Sequence, residues 1–139
     1  MKSKFISAAA LAIASVSLAA TPASAAKSRP KLTGEAQLAK LLEGRTAGEP
    51  VSCLPSGLSS DSRVIDGTAI VYRSGSTLYV NRPTNASSLD DDDILVTRLS
   101  TGRPCRLDMV NLVDRTSRFQ TGFVSLQDFV PYRKVASNR

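Results

Sequence analysis

The sequence predicts a mainly β fold, a small antiparallel barrel or sandwich of five to seven strands with one N-terminal helix packed on it. Two observations carry this. Beyond Val51 the apolar residues fall in short alternating runs, and turn-forming residues interrupt those runs roughly every 8–15 residues. Only Thr33 to Glu43 spaces its leucines for a helix. At 139 residues, 42% apolar and 22% charged, the chain has room for one domain at most and too much apolar content to stay disordered.

In chain order, residues 1–25 read as a signal peptide. Lys2 and Lys4 supply a charged start, Phe5 to Ala20 is uncharged, and Ala23-Ser24-Ala25 is an A-x-A cleavage site. The uncharged stretch is shorter than the ~20 residues that span a bilayer, so no transmembrane segment is expected after cleavage. Residues 26–32, basic and containing Pro30, form a flexible lead-in. Residues 33–49 hold the helix and a linker. Thr33 is placed to cap the helix, Glu35 lies in its first turn, and Leu38, Leu41 and Leu42 form one apolar stripe before Gly44 ends it. That stripe suits docking on a sheet, where the helix would plug one open end.

Residues 50–135 form the β domain. Ser62 to Ile65 leads into an Asp66-Gly67 turn, and Thr68 to Arg73 runs out to Ser74-Gly75-Ser76 and back through Thr77 to Asn81. Ile70 and Tyr72 then share a hairpin with Leu78 and Val80. Thr84 to Ser88 is a polar loop, Ile94 to Leu99 a strand, and Thr101 to Pro104 a turn into Cys105. Strands over Leu107 to Val113, Gly122 to Leu126 and Phe129 to Tyr132 follow, with a turn near Asp114 to Thr116.

Cys53 and Cys105 are the only thiols. In an exported chain they meet an oxidising compartment, so a structural disulfide is expected, contributing on the order of 4 kcal/mol. The chain has no histidine, which removes the Ser-His-Asp triad, the Cys-His dyad and histidine metal sites. The formal charge of +6 lies mostly outside residues 50–135, which are nearly balanced, and no nucleic-acid partner is expected.

Cys53, the hairpin IVYRSGSTLYVNRP from Ile70 to Pro83, the run Cys105-Arg106-Leu107-Asp108 and the closing Leu126-Gln127-Asp128-Phe129-Val130-Pro131 form a set. Together they resemble a family of small exported proteobacterial proteins, a domain of unknown function with paired cysteines and a compact β fold. The resemblance spans roughly residues 51–132. Members typically hold two further cysteines, at positions that overlay Ala86 and Val124 here. Joint loss of both is what a bridge between them would leave behind, which implies Cys53–Cys105 as the bridge retained. The resemblance implies no activity, catalytic residue or cofactor.

Several groups remain as candidates for chemistry. Asp90, Asp91, Asp92 and Asp93 offer oxygen ligands for a metal such as calcium, but they lack the alternate spacing of a calcium loop and fit a solvated turn better. Asp66, Asp108, Asp114 and Asp128 could supply a carboxylate pair for hydrolysis. Each also suits a turn. Arg98, Arg103, Arg106, Arg115 and Arg118 could hold an anionic partner, or pair with the aspartates around them. The six aromatic residues from Tyr72 to Tyr132 are few enough to be consumed by a core. The expected function is therefore an exported, non-enzymatic small β domain of unknown role, binding or envelope-associated, periplasmic or secreted, with no catalytic residue and no cofactor. Its partner is an unidentified protein or envelope component, and its oligomeric state is open. The alternatives are a small carboxylate-dependent hydrolase, or an inhibitor of a secreted enzyme presenting a loop such as Thr84 to Asp93.

Overall fold

In the computed structural model the described residues are 31–56, 61–99 and 101–136. The expected signal peptide and residues 26–30 of the lead-in lie outside them. The chain forms α1 (Gly34–Leu41), then β1 (Arg45–Ala47), β2 (Ser62–Ile65), β3 (Ala69–Ser74) and β4 (Thr77–Asn81). A 3₁₀ turn (Ala86–Ser88) leads to β5 (Asp93–Thr97), β6 (Met109–Asp114), β7 (Gln120–Ser125) and β8 (Phe129–Lys134). The fold is mainly β: the described residues form eight strands in two antiparallel sheets and one helix. One sheet has the order β1-β8-β4-β3-β2 and the other β5-β6-β7. Among the described residues no ring of strands closes, and β1, β2, β5 and β7 are edges.

The β3–β4 hairpin shows how local chemistry sets register. Gly75, at φ 55°, and Ser76 make a two-residue turn that puts Ser74 opposite Thr77. The ladder then pairs Ile70 with Asn81, Val71 with Val80 and Tyr72 with Tyr79. Ile70 and Tyr72 thus share a hairpin with Leu78 and Val80 but point to the opposite face, because side chains alternate along each strand. One face packs Ala69, Val71, Leu78 and Val80 with Ile65 against Leu38 of α1. The other packs Ile70, Tyr72 and Phe129 with Val110, Leu112 and Val124 of the three-stranded sheet. Burial on both faces explains the unbroken apolar run Ala69–Tyr72. The helix therefore covers the outer face of the five-stranded sheet and does not plug an open end.

Thr33 caps α1 as expected, its Oγ1 accepting from the Ala36 amide, and the stripe Leu38, Leu41 and Leu42 faces the sheet. Gly34 lies so close to the Thr68 side chain and the Asp66 carbonyl that a Cβ would overlap both. The absence of a side chain lets α1 rest on the β2–β3 turn. A two-pronged Arg82–Glu35 contact, with Nη2–Oε2 at 2.9 Å, ties the helix to the end of β4.

Several boundaries differ from expectation. β1 falls in the segment expected as linker and pairs with β8, Arg45 opposite Lys134. At three residues, two of them exposed, it has no periodicity to read. β6 starts at Met109 instead of Leu107, because Leu107 takes φ 72° in a turn where the Asp108 amide donates to the Cys105 carbonyl. β7 begins two residues early, at Gln120, across a bulge between Leu112 and Val113. β5 ends at Thr97, before the expected Leu99.

Asn81 is a fully buried polar residue at the end of β4. Its Nδ2 donates to the Gln127 carbonyl at 2.5 Å, and its Oδ1 accepts from the Gln127 amide at 3.2 Å, so one amide serves the backbone of the turn into β8. Asn81→Leu would leave both Gln127 groups unpaired in the interior. We expect a loss of about 2–3 kcal/mol in urea unfolding, with no rescue by Asn81→Asp, which would bury a carboxylate against the Gln127 carbonyl.

Candidate binding surface

Cys53 and Cys105 are joined by a disulfide spanning a sequence separation of 52. They sit opposite each other as an isolated antiparallel pair, flanked by the Leu54 amide donating to Pro104 O and the Arg106 amide donating to Ser52 O. The Asp108 carboxylate accepts from the Cys105 amide at 2.8 Å. The bridge thus closes a backbone already in register, and joins the segment before β2 to the loop before β6.

The aspartate run does not act as one unit. Asp90 and Asp91 come together with Asp66 from the β2–β3 turn, one oxygen of each within 4.8 Å of the others. The Lys31 ammonium is at this cluster, 2.5 Å from Asp66 and 3.3 Å from Asp91. Asp90 accepts from the Asp92 amide and Asp66 from the Asp91 amide, as carboxylates do in turns. Asp93 turns inward, buried, and accepts from the Thr121 hydroxyl at 3.0 Å. Sequence spacing could not show Asp66 joining this cluster, since it arrives from 24 residues upstream through a different turn.

The other aspartates are engaged where they stand. Asp114 accepts from the Thr116 and Ser117 amides, Asp128 meets Arg106 at 3.7 Å, and Asp108 holds Cys105. Among the described residues, Arg106–Asp128 is the ion pair formed by the five arginines from Arg98 to Arg118.

These contacts carry a pH dependence. Hydrogen bonding from Lys31 is the main force holding the Asp66 carboxyl below its ordinary range; the Ser117 amide does this for Asp114, and Arg82 for Glu35. A carboxyl lowered by folding adds stability that is full above its unfolded value, about 4, and fades as pH falls through the folded one. Asp66 and Asp91 raise Lys31, whose contribution is full below its ordinary 10.5 and fades as pH rises through the folded value. The urea midpoint should be level between these limits and fall below about pH 4. Lys31→Met should flatten part of the acid fall, and an unchanged profile would show the clasp to be neutral in stability. The groups are exposed, so the effect is small.

The largest departure from expectation is on the outer face of the three-stranded sheet. Ile94 lies opposite Val113, and Val96, Asn111 and Phe123 form a row across all three strands, with Met109 opposite Ser125. Leu95, Leu112 and Val124 alternate with these and face the core. On the five-stranded sheet the outer face is covered by α1. Here Val96 is 42% exposed, Met109 47% and Phe123 49%, with Phe119 at 76% in the adjoining turn. The expectation that the core consumes the aromatics is therefore corrected: Phe129 and Tyr72 are core residues, while Phe119 and Phe123 face outward. Phe123 lies one residue from buried Val124, so alternation puts it on the other side.

At the end of this face where β5 begins, Asp92 and Arg115 are exposed, while Asp114 lies opposite the inward-turned Asp93 and Asp90 and Asp91 gather with Asp66 and Lys31. Arg98, two residues beyond Val96, is exposed at the opposite end.

No family model, curated protein or solved structure matches this chain. The fold and this surface define a class: a small disulfide-bonded antiparallel β domain with one sheet face left apolar and uncovered among the described residues.

Proposed function

We propose that the chain is an exported, non-enzymatic β sandwich that serves as a binding module, docking a partner through the outer face of its three-stranded sheet. The single observation that carries the reading is the cluster of Val96, Met109 and Phe123 on a face that no other element covers among the described residues. Contiguous exposed apolar groups mark interaction sites in water-facing proteins. A sandwich is supported by the shared core, where Ile70, Tyr72 and Phe129 of one sheet meet Val110, Leu112 and Val124 of the other. Export is supported by the Cys53–Cys105 bridge, and no helix among the described residues is long and apolar enough to cross a membrane.

Site-specific photocrosslinking in producing cells tests the docking reading. A photoreactive benzoylphenylalanine replacing Phe123 should yield a discrete adduct, and one replacing exposed Arg133 on β8 should not. Absence of any adduct at Phe123 would overturn the reading.

A further inference from the structure

We propose that the gap between β2 and β5 is a binding slot for an extended acidic peptide segment, which adds as a strand between these two edges and joins the two sheets. The slot is separate from the uncovered face described above and does not depend on it. The two edges are tied at one end. There the Gly67 amide donates to the Leu89 carbonyl at 2.9 Å and the Asp91 amide to the Asp66 carboxylate at 2.7 Å, so the end of β2 lies beside the approach to β5. Beyond that tie β2 and β5 belong to different sheets and share no hydrogen bond among the described residues. Between them opens a cavity of about 370 Å³, walled by Ser62, Arg63 and Val64 on one side and Asp93, Ile94 and Leu95 on the other.

The backbone decides what fits there. The Arg73 amide donates to the Asp61 carbonyl at 3.0 Å, and with Ser62 opposite Tyr72 this puts Arg63 and Ile65 in bonded pairs with β3. The N–H and C=O groups of Ser62 and Val64 therefore point away from β3, into the gap. On the other side the Leu126 amide donates to the Asp108 carbonyl, so Val110 and Leu112 bond β7, while Asn111 and Val113 bond β5. The partners of Asn111 and Val113 are Val96 and Ile94, which leaves Leu95, with Thr97 beyond it, turning its backbone groups outward. Rows of free donors and acceptors thus face one gap from two edges. An extended chain carries donors and acceptors along both of its sides, so one segment answers both rows.

The side chains define its composition. Val64 and Leu95 point to the core side, opposite buried Ile70 and Leu112, yet each is only half-buried at the gap. A peptide residue between them points the same way, and an apolar one extends the core. Its neighbours point outward, on the side of Arg63. Arg63 and Arg115 both line the cavity and form no ion pair among the described residues. The carboxylates at the cavity are already engaged, Asp91 with Lys31 and Asp93 with the Thr121 hydroxyl. Charge complementarity therefore selects alternating acidic and apolar residues.

The probe is a capped peptide of about six residues, a common strand length, alternating glutamate and valine. It is added to the oxidised protein as processed by the cells that make it, and amide hydrogen exchange is followed residue by residue. Without peptide, the Ser62, Val64 and Leu95 amides should exchange at least tenfold faster than those of Arg63 and Ile94, which are bonded to β3 and β6. At up to about 1 mM peptide the three fast amides should slow about tenfold. The same peptide N-methylated on alternate residues should slow none of them, and lysine in place of glutamate should weaken binding at least tenfold. Arg63→Glu should reverse that charge preference. Ser62→Pro removes a donor that faces the gap and no ladder bond, so it should abolish binding with little change in thermal midpoint. Arg63→Glu carries the test should Ser62→Pro lose its fold. The inference is overturned by amides already protected without peptide, by no slowing at about 1 mM, or by slowing that survives N-methylation or ignores the lysine exchange.

Discussion

Replacing Cys53 and Cys105 together by serine should lower the folding free energy by about 4 kcal/mol, the largest effect expected of any change outside the core. A bridge across a separation of 52 removes loop-closure entropy from the unfolded chain, and chain-entropy models put that near 4 kcal/mol. Against the roughly 5–15 kcal/mol typical of a small domain, this is a large share. For a domain of about 100 residues it corresponds to a drop in thermal midpoint of roughly 15–30 °C. The flanking Leu54–Pro104 and Arg106–Ser52 hydrogen bonds do not need the bridge, so the serine variant should refold to the same strand pairing where it is stable at all. A thermal midpoint within a few degrees of the parent would show that the unfolded chain is already held compact without it.

Phe129→Ala should cost about 3–5 kcal/mol, by the combined loss of transfer free energy and the cavity left behind. Phe129 is fully buried at the start of β8, and its ring meets Tyr72 edge-on at 5.7 Å. Its backbone also pairs with Val51 in both directions, which joins the segment before Cys53 to the same sheet. Phe129→Leu should recover most of the loss, since it keeps much of the volume. Urea unfolding of the two variants separates the contributions, and equal costs would mean that the pocket collapses around either side chain. Tyr72, whose hydroxyl is pushed upward in pKa by burial, stays neutral throughout.

The parts of this fold readable in the sequence are those whose causes lie within a few residues. The helix follows from Thr33, the spacing of Leu38, Leu41 and Leu42, and Gly44 at φ 69°. The hairpin follows from Gly75, and the turns from Asp66-Gly67 and Asp114. The candidate site was less legible. Asp90 to Asp93 looked like one feature, yet alternation sends Asp93 inward while Asp91 joins Lys31 and Asp66. Phe123 sits in a strand whose neighbour Val124 is core, and nothing local says that its own side is left uncovered.

The amino-acid sequence alone determined the period of each element, its turns and caps, and the presence of two cysteines, because backbone preference and side-chain alternation act over a turn or a pleat. Only the tertiary structure decided which strands became neighbours. β1 exists because β8 offers it an edge, and β8 reaches β4 from 48 residues away. It also decided that α1 shields one sheet while the other keeps Val96, Met109 and Phe123 in water. Those outcomes depend on how much apolar surface distant segments can hide from solvent together, a quantity no short stretch of chain contains.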